Sequence, residues 1–309
     1  MARTGVRLVI TLSMSGPRPE PPRFKVWASI GETLIIELDD DTVIMVPDGY
    51  YEGRDNSSNV AWREDAEASR CWATTLVYEQ LKESYPRLTP YVITPRSEHG
   101  TPLSTPRSVD WLPILYKPTG RPLEEFLEKN ISNMYTTSVT VTRRVLPSHQ
   151  PLVLQWALHL DSPLTFVHKH VIIYGEIESR NCWLSSSLLL SLAGFLSAEF
   201  RSHAHSGALY RSQSTSGFTF NPRSISKIPN TKTDILWWGC VVYELMTGLW
   251  PEYEQARSYE ERKAMVTWRE WPSLQAEFLG NIVKKCWEGE YATSENLKQD
   301  VMRFVETDG

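Results

Sequence analysis

Cysteine is scarce in this chain, and the four residues present, Cys71, Cys182, Cys240 and Cys286, are far apart. None stands at a metal or redox spacing and each lies in an apolar stretch. A disulfide framework and a zinc centre are therefore not expected, and a reduced intracellular protein, cytoplasmic or nuclear, is. Long apolar runs are missing too: nothing approaches the ~18 residues of a membrane span. Arg3 and Arg7 precede the short apolar run Leu8 to Met14, but no Ala-x-Ala-like site follows, so secretion is the weaker reading. A strong charge of one sign is also lacking. A net charge of -5 excludes a whole-protein attraction to nucleic acid or to an anionic membrane. No internal repeat is visible.

What is present is enough apolar material for a sizeable core, 41% of 309 residues. Residues 15 to 23 are proline-rich and read as an extended or disordered lead-in over 1–23. From Phe24 the character changes. Val26 to Leu38 and Thr42 to Val46 read as β-branched strand runs, with Asp39-Asp40-Asp41 as the turn between them. A helix follows from about Arg63 to Tyr85, in which Trp72 with Leu76 and Val77 with Leu81 share a face at the i,i+4 spacing. A strand ending at Tyr116 runs into Lys117-Pro118-Thr119-Gly120 and a helix from Leu123. Val153, Trp156, Ala157, Leu160, Leu164 and Val167 trace one face of a longer helix. Pro163 lies inside it, and an interior proline costs ~3 kcal/mol, so a kink or break is expected there. An apolar helix spans Asp234 to Met246, with Gly248 and Pro251 as stop signals. Strands come first and helices last, so the expected class is α+β, a strand-rich lobe followed by a helical one.

Four strings give this order a likeness. "ILYKPTGRPLEEFL" (Ile114 to Leu127) resembles a protein-kinase hinge. "LTFVHKHVIIYGEIESRN" (Leu164 to Asn181) resembles a long helix followed by a catalytic loop. "TDILWWGCVVYELMTGLWP" (Thr233 to Pro251) resembles the kinase helix that starts at a structural Asp, and "IVKKCWEGEY" (Ile282 to Tyr291) a late helix with its Cys-Trp pair. In register, they resemble the eukaryotic protein kinase superfamily, in the style of divergent kinase-like proteins of filamentous fungi. The resemblance covers about residues 24 to 307. It implies a bilobal fold with an N-lobe over 24–116, a C-lobe over 117–309 and an activation-segment-like loop at about 197–233.

The resemblance also implies a catalytic set, and this chain departs from it. The phosphate-covering lid keeps only Gly31, with Glu32 beside it. The strand lysine is Met45, and its helix glutamate partner is Thr74, so both ends of the ion pair are absent. Lys25 is the candidate for a relocated lysine, against a plain solvated one. The catalytic loop reads Tyr174-Gly175-Glu176, where Glu176 keeps a carboxylate with one extra methylene, and an ångström of misplacement can cost ~100-fold. Gly175 stands where many kinases hold a phosphorylated loop with arginine. Asn181 is intact and either binds metal or caps the loop. Gly194-Phe195-Leu196 replaces the metal-binding Asp-Phe-Gly, and glycine cannot ligate Mg²⁺. The adenine pocket would use hinge backbone around Leu115, Tyr116 and Lys117, which survives any side-chain change, so metal-free ATP binding stays open.

Between Phe200 and Thr233 there is no Asp or Glu, while Arg201, Arg211, Arg223, Lys227 and Lys232 join His203 and His205 among many hydroxyls. No Ala-Pro-Glu anchor is recognisable there, nor the late arginine that would pair with it. Such a loop either docks an acidic protein partner or is a solvated segment; nucleic acid is not expected, for want of aromatic interleaving. The expected function is a catalytically impaired kinase-like domain acting as a protein-binding or regulatory scaffold. The alternative is an atypical serine/threonine kinase with Glu176 as base, Asn181 on metal and Lys25 as the lysine.

Overall fold

Short β-branched runs fold back on one another to make a sheet, the first of two layers of structure. The computed structural model describes residues 25–47, 58–82, 84–92, 112–136, 143–201, 207, 209–211, 230–251, 258, 261 and 269–308. Strands β1 (Val26–Ile30), β2 (Thr33–Glu37), β3 (Thr42–Pro47) and β4 (Ile114–Tyr116) form an antiparallel sheet in that order. The run expected as one strand from Val26 to Leu38 is two. Gly31, at φ +59°, and Glu32 make a two-residue turn that pairs Ile30 with Thr33. A bulge between Val26 and Ala28 inserts Trp27 as the extra residue and leaves its ring buried. The acidic turn behaves as read, with Asp39 Oδ1 accepting from the Asp41 amide at 2.9 Å.

Helix α1 (Ser58–Leu81) packs on β3, burying Cys71, Leu76, Val77 and Leu81. It begins and ends about four residues earlier than the apolar pattern indicated. The segment beyond it turns into the second layer. Tyr85 stacks on Phe166 at 4.3 Å and its hydroxyl is 2.6 Å from Ser162 Oγ, while the Thr89 amide donates to the Leu192 carbonyl at 2.8 Å.

The lower lobe is helical: α2 (Leu123–Met134), α3 (Gln150–Lys169), α4 (Thr231–Thr247), α5 (Gly280–Glu288) and α6 (Ser294–Asp308), with two short hairpins. The hairpins pair β5 (Cys182–Leu184) with β6 (Leu190–Leu192), and β7 (Glu199–Arg201) with β8 (Leu209–Arg211). The expected face of α3, Val153, Trp156, Ala157, Leu160, Leu164 and Val167, is fully buried. The helix is not broken at Pro163. It packs against α4, α6 and β6, and that burial outweighs the loss of one amide donor. Asn230 caps α4, its side chain accepting from the amides of Lys232 and Thr233 at 2.9 and 3.2 Å, and Gly248 closes it at φ +69°. The Cys-Trp pair of α5 faces α4, where Trp287 Nε1 meets Cys240 Sγ at 3.4 Å.

An aromatic column joins the layers. Tyr91 stacks on Tyr78 of α1 at 5.3 Å, Tyr78 meets Phe195 edge-on at 5.0 Å, and Phe195 meets Tyr174 at 5.3 Å. The arrangement is the α+β, bilobal, protein-kinase-like fold expected from the order of the elements. Among the described residues no helix is long and apolar enough to cross a membrane.

Candidate functional site

The loop after α3 takes its shape from one buried carboxylate. Asp234, in the first turn of α4, accepts from the Tyr174 amide at 2.7 Å and the Gly175 amide at 2.8 Å, and His168 Nε2 lies 2.8 Å from its Oδ2. Gly175 sits at φ +100°, where a Cβ would stand 2.0 Å from the Ser197 carbonyl oxygen. The position read as a lost arginine therefore has no room for any side chain. Glu176 is 5% exposed and its Oε2 accepts from the Ser197 hydroxyl at 2.7 Å. Asn181 is buried with both ends of its amide on loop backbone: Nδ2 donates to the Glu176 carbonyl at 2.8 Å and Oδ1 accepts from the Glu178 amide at 2.9 Å. Glu178, also buried, pairs with Arg180.

Across the cleft, the two positions that would handle phosphate and metal touch each other. Met45 is fully buried on β3, and its methyl carbon stands 2.9 Å from where a Cβ on Gly194 would lie. Gly194 has φ +72°, so a side chain there meets both a strained backbone and an occupied space. Thr74 holds the same segment from α1, its hydroxyl accepting from the Phe195 amide at 3.2 Å. At the three positions where the resemblance implies lysine, glutamate and aspartate, methionine thus lies against glycine, and threonine holds the residue that follows that glycine.

The hinge side is filled as well. The Tyr116 amide donates to the Pro90 carbonyl at 2.9 Å, the Lys117 amide to the Asp41 carbonyl at 2.7 Å, and Leu115 pairs with Val43 across the ladder. Trp27 from β1 and Trp183 from β5 meet edge to face at 4.8 Å, with the Arg121 guanidinium 5.3 Å over the Trp27 ring. Lys25 does not enter the cleft. Its side chain is 78% exposed and pairs with Glu37 at 2.8 Å, while Lys117 Nζ lies 3.7 Å from the other Glu37 oxygen. Gly31 does reach the cleft, roofing a cavity of about 10 Å³ with Ile30, over Glu176, Glu178, Asn181 and Gly194.

That volume holds roughly one water molecule, whereas a drug-sized ligand takes ~300 Å³ or more. The residues present do not fit a magnesium–nucleotide complex. The two glutamates of the cavity lining are already matched by Arg180 and by the Ser197 hydroxyl that Arg70 meets, Gly194 supplies no ligand, and among the described residues no three His, Cys, Asp or Glu side chains are grouped to hold a metal. Of the residues picked from the sequence, the structure gathers Gly31, Glu176 and Asn181 around one cavity. Leu115, Tyr116 and Lys117 are within the sheet edge, and Lys25 is at the surface. Sequence reasoning missed Trp27, Trp183, Arg70 and Ser197; a tryptophan on each side of the expected cleft was the available signal. Of the basic loop, 202–206, 208 and 212–229 lie outside the described residues. Arg201 is exposed, and Lys232 donates to the Gly289 carbonyl at 3.0 Å.

A titratable group borders the loop. Glu244 of α4 has Oε2 buried without a hydrogen-bond partner. Burial pushes its carboxyl up to about 8, against the help of the Ser179 hydroxyl, while Glu124 and Glu178 push the same way. His159, whose Nδ1 accepts from the Leu190 amide at 3.3 Å, is held down to about 4 by burial and by Arg87. The signs are opposite. His159 adds stability as pH rises from about 4 to 6.5, because the unfolded chain binds its proton first. Glu244 removes stability as pH rises from 4.5 to about 8, because the folded chain keeps a proton that the unfolded chain has released. Between pH 6.5 and 8 only Glu244 of the two acts, and the protein is expected to lose ~2 kcal/mol. Urea unfolding across that window checks it: Glu244→Gln should lessen the fall by about that amount, and an equal slope in the variant would refute the assignment.

The comparisons with known proteins agree with the fold at a coarse level. No family model matches the chain. A serine/threonine/tyrosine-protein kinase of Arabidopsis thaliana is 26% identical over 143 residues, which is 44% of this chain and 35% of that protein. A probable serine/threonine-protein kinase of Dictyostelium discoideum is 27% identical over 99 residues, 32% of this chain and 13% of that protein. The chain thus matches about a third and about an eighth of these relatives. Together with the bilobal fold, these partial likenesses support a protein-kinase-like domain.

Proposed function

We propose that this chain is a pseudokinase: a kinase-like domain with little or no phosphoryl transfer, which acts as a protein-binding or regulatory module. The observation that carries the reading is the contact of Met45 with Gly194. Phosphoryl transfer asks for positioned positive charge and a metal at this place, and an apolar contact supplies neither. The two indoles on the hinge side and the engaged hinge amides argue the same way for adenine. The atypical-kinase alternative needs Lys25 in the cleft and Glu176 free to take a proton; Lys25 faces solvent with Glu37, and Glu176 already holds the Ser197 hydroxyl.

Within this reading the partner is a protein with an acidic surface, met by the segment 201–232, which carries five Lys and Arg and no Asp or Glu. The likeness to divergent fungal kinase-like proteins belongs to the same proposal and rests on the four strings. Thermal melting with ATP, alone and with Mg²⁺ or Mn²⁺, tests the catalytic half. A specific ligand at 100 times its dissociation constant adds ~2.7 kcal/mol, and no shift is expected under any of the three conditions. A metal-dependent shift, together with phosphate transfer that Glu176→Gln removes, would overturn the reading.

A further inference from the structure

Helix α1 carries an arginine one turn before Thr74, and its side chain crosses from the upper lobe to the lower. Arg70 Nε donates to the Leu196 carbonyl at 2.9 Å and Nη2 donates to the Ser197 hydroxyl oxygen at 3.1 Å. The Ser197 hydroxyl in turn donates to Glu176 Oε2 at 2.7 Å. Arg70, Ser197 and Glu176 are each 5% exposed. A buried guanidinium is tolerated only where its donors are matched by acceptors, and here the planar fork meets a carbonyl and a hydroxyl that leads to a carboxylate. Thr74 adds a grip on the next residue back, through the Phe195 amide. Two successive turns of α1 are thereby fastened to the single segment 195–197.

We propose that the Arg70–Ser197–Glu176 relay is an interlobe latch, which fixes α1 on the lower lobe without nucleotide, metal or phosphate. It occupies the role that a strand lysine paired with a helix glutamate would have played, at positions where this chain has Met45 and Thr74. In it Glu176 is a structural acceptor, and Ser197 is the joint, its oxygen accepting from the helix cation while its proton is donated to the loop anion. The inference rests on these contacts alone. An enzyme would also need α1 docked, so the melting experiment with ATP does not decide it, and its own test does not decide whether phosphate is transferred.

Hydrogen exchange on the full chain, followed by mass spectrometry without nucleotide, tests the latch. The variants are Arg70→Met, Ser197→Ala and the two combined, with α4 as internal reference. Arg70→Met is expected to speed exchange at least tenfold in the α1 peptides from residue 70 to 81 and in residues 195 to 200, with α4 unchanged. Ser197→Ala should give a smaller rise, at least threefold, in the same peptides. The combined variant should be no faster than Arg70→Met, because both substitutions break one relay. Unchanged α1 exchange in Arg70→Met would overturn the proposal, and so would a rise of the same factor in α4, which marks only a global loss of stability. If Arg70→Met does not fold, Ser197→Ala carries the test by itself, and α1 exchange equal to wild type in that variant would likewise overturn the latch.

Discussion

Alanine at Gly175 is expected to cost about 3–5 kcal/mol, enough to unfold a domain of ordinary stability. Two effects add. A non-glycine residue at φ +100° is strained by ~1–3 kcal/mol, and the new Cβ meets backbone atoms, 2.0 Å from the Ser197 oxygen and 2.6 Å from its carbon. Neither side can yield easily. The Gly175 amide is held by Asp234 at 2.8 Å, and the facing segment is tied by Ile173 and Glu199, which exchange amide–carbonyl bonds of 2.9 Å in both directions. Arginine, which the kinase likeness would place here, should fare no better than alanine, because the first carbon already collides. Urea unfolding monitored by tryptophan fluorescence measures this. A loss under ~1 kcal/mol for alanine would mean that the loop relaxes and that the glycine is not required by its surroundings.

The same loop shows why the fold was legible in the sequence and much of the site was not. The Gly248 stop does a local job, closing α4 at φ +69°, so a string of letters carries it; Asp234 and the Cys286-Trp287 pair act over long separations and were legible only through the kinase likeness. Boundaries failed where a local signal was small against packing. The turn at Gly31-Glu32 is only two residues long inside a β-branched run, and Pro163 is outweighed by the burial of α3 on several sides. In the site, the sequence named the positions that differ from the kinase pattern one at a time: Met45, Thr74, Gly194. That Met45 occupies the space a side chain at Gly194 would need is a contact between strand and loop, which no local pattern encodes.

Trp27 shows the limit more sharply. Its burial comes from a bulge in β1, and a bulge is a mismatch between two strands, invisible in either alone. Arg70 was missed for a related reason. It is one of several charges on α1, and only the tilt of the helix against the lower lobe decides which of them turns inward. Lys25 was weighed against a solvated lysine on residue type alone, and its 78% exposed side chain now lies with Glu37. The lesson is physical. Differences from a family pattern can be read from a sequence, whereas what packs together at those positions is a tertiary matter.

Removing the carboxylate that shapes the loop should be the other severe change. Asp234→Ala would leave the Tyr174 and Gly175 amides and His168 Nε2 without their common acceptor, in a place where Asp234 itself is fully buried. Each buried donor left unmatched costs ~1–3 kcal/mol, and more for a bond to a charged partner; because the three share one site, a combined loss of about 3–5 kcal/mol is expected. Asp234→Asn is the finer probe. It keeps the size of the side chain, yet its amide nitrogen must face either the Gly175 amide or the side shared by Tyr174 and His168, donor against donor. It should therefore recover little of the stability lost in the alanine variant. Asp234→Glu should also fail, because the extra methylene moves the oxygens out of line with amides at 2.7 and 2.8 Å. Circular dichroism melts of the three variants check the order. If asparagine proved as stable as wild type, the two amides would not depend on a carboxylate. The aromatic column would then have to be held at its base by Tyr174's own contacts, chiefly its hydroxyl donating to the Ala193 carbonyl at 2.9 Å.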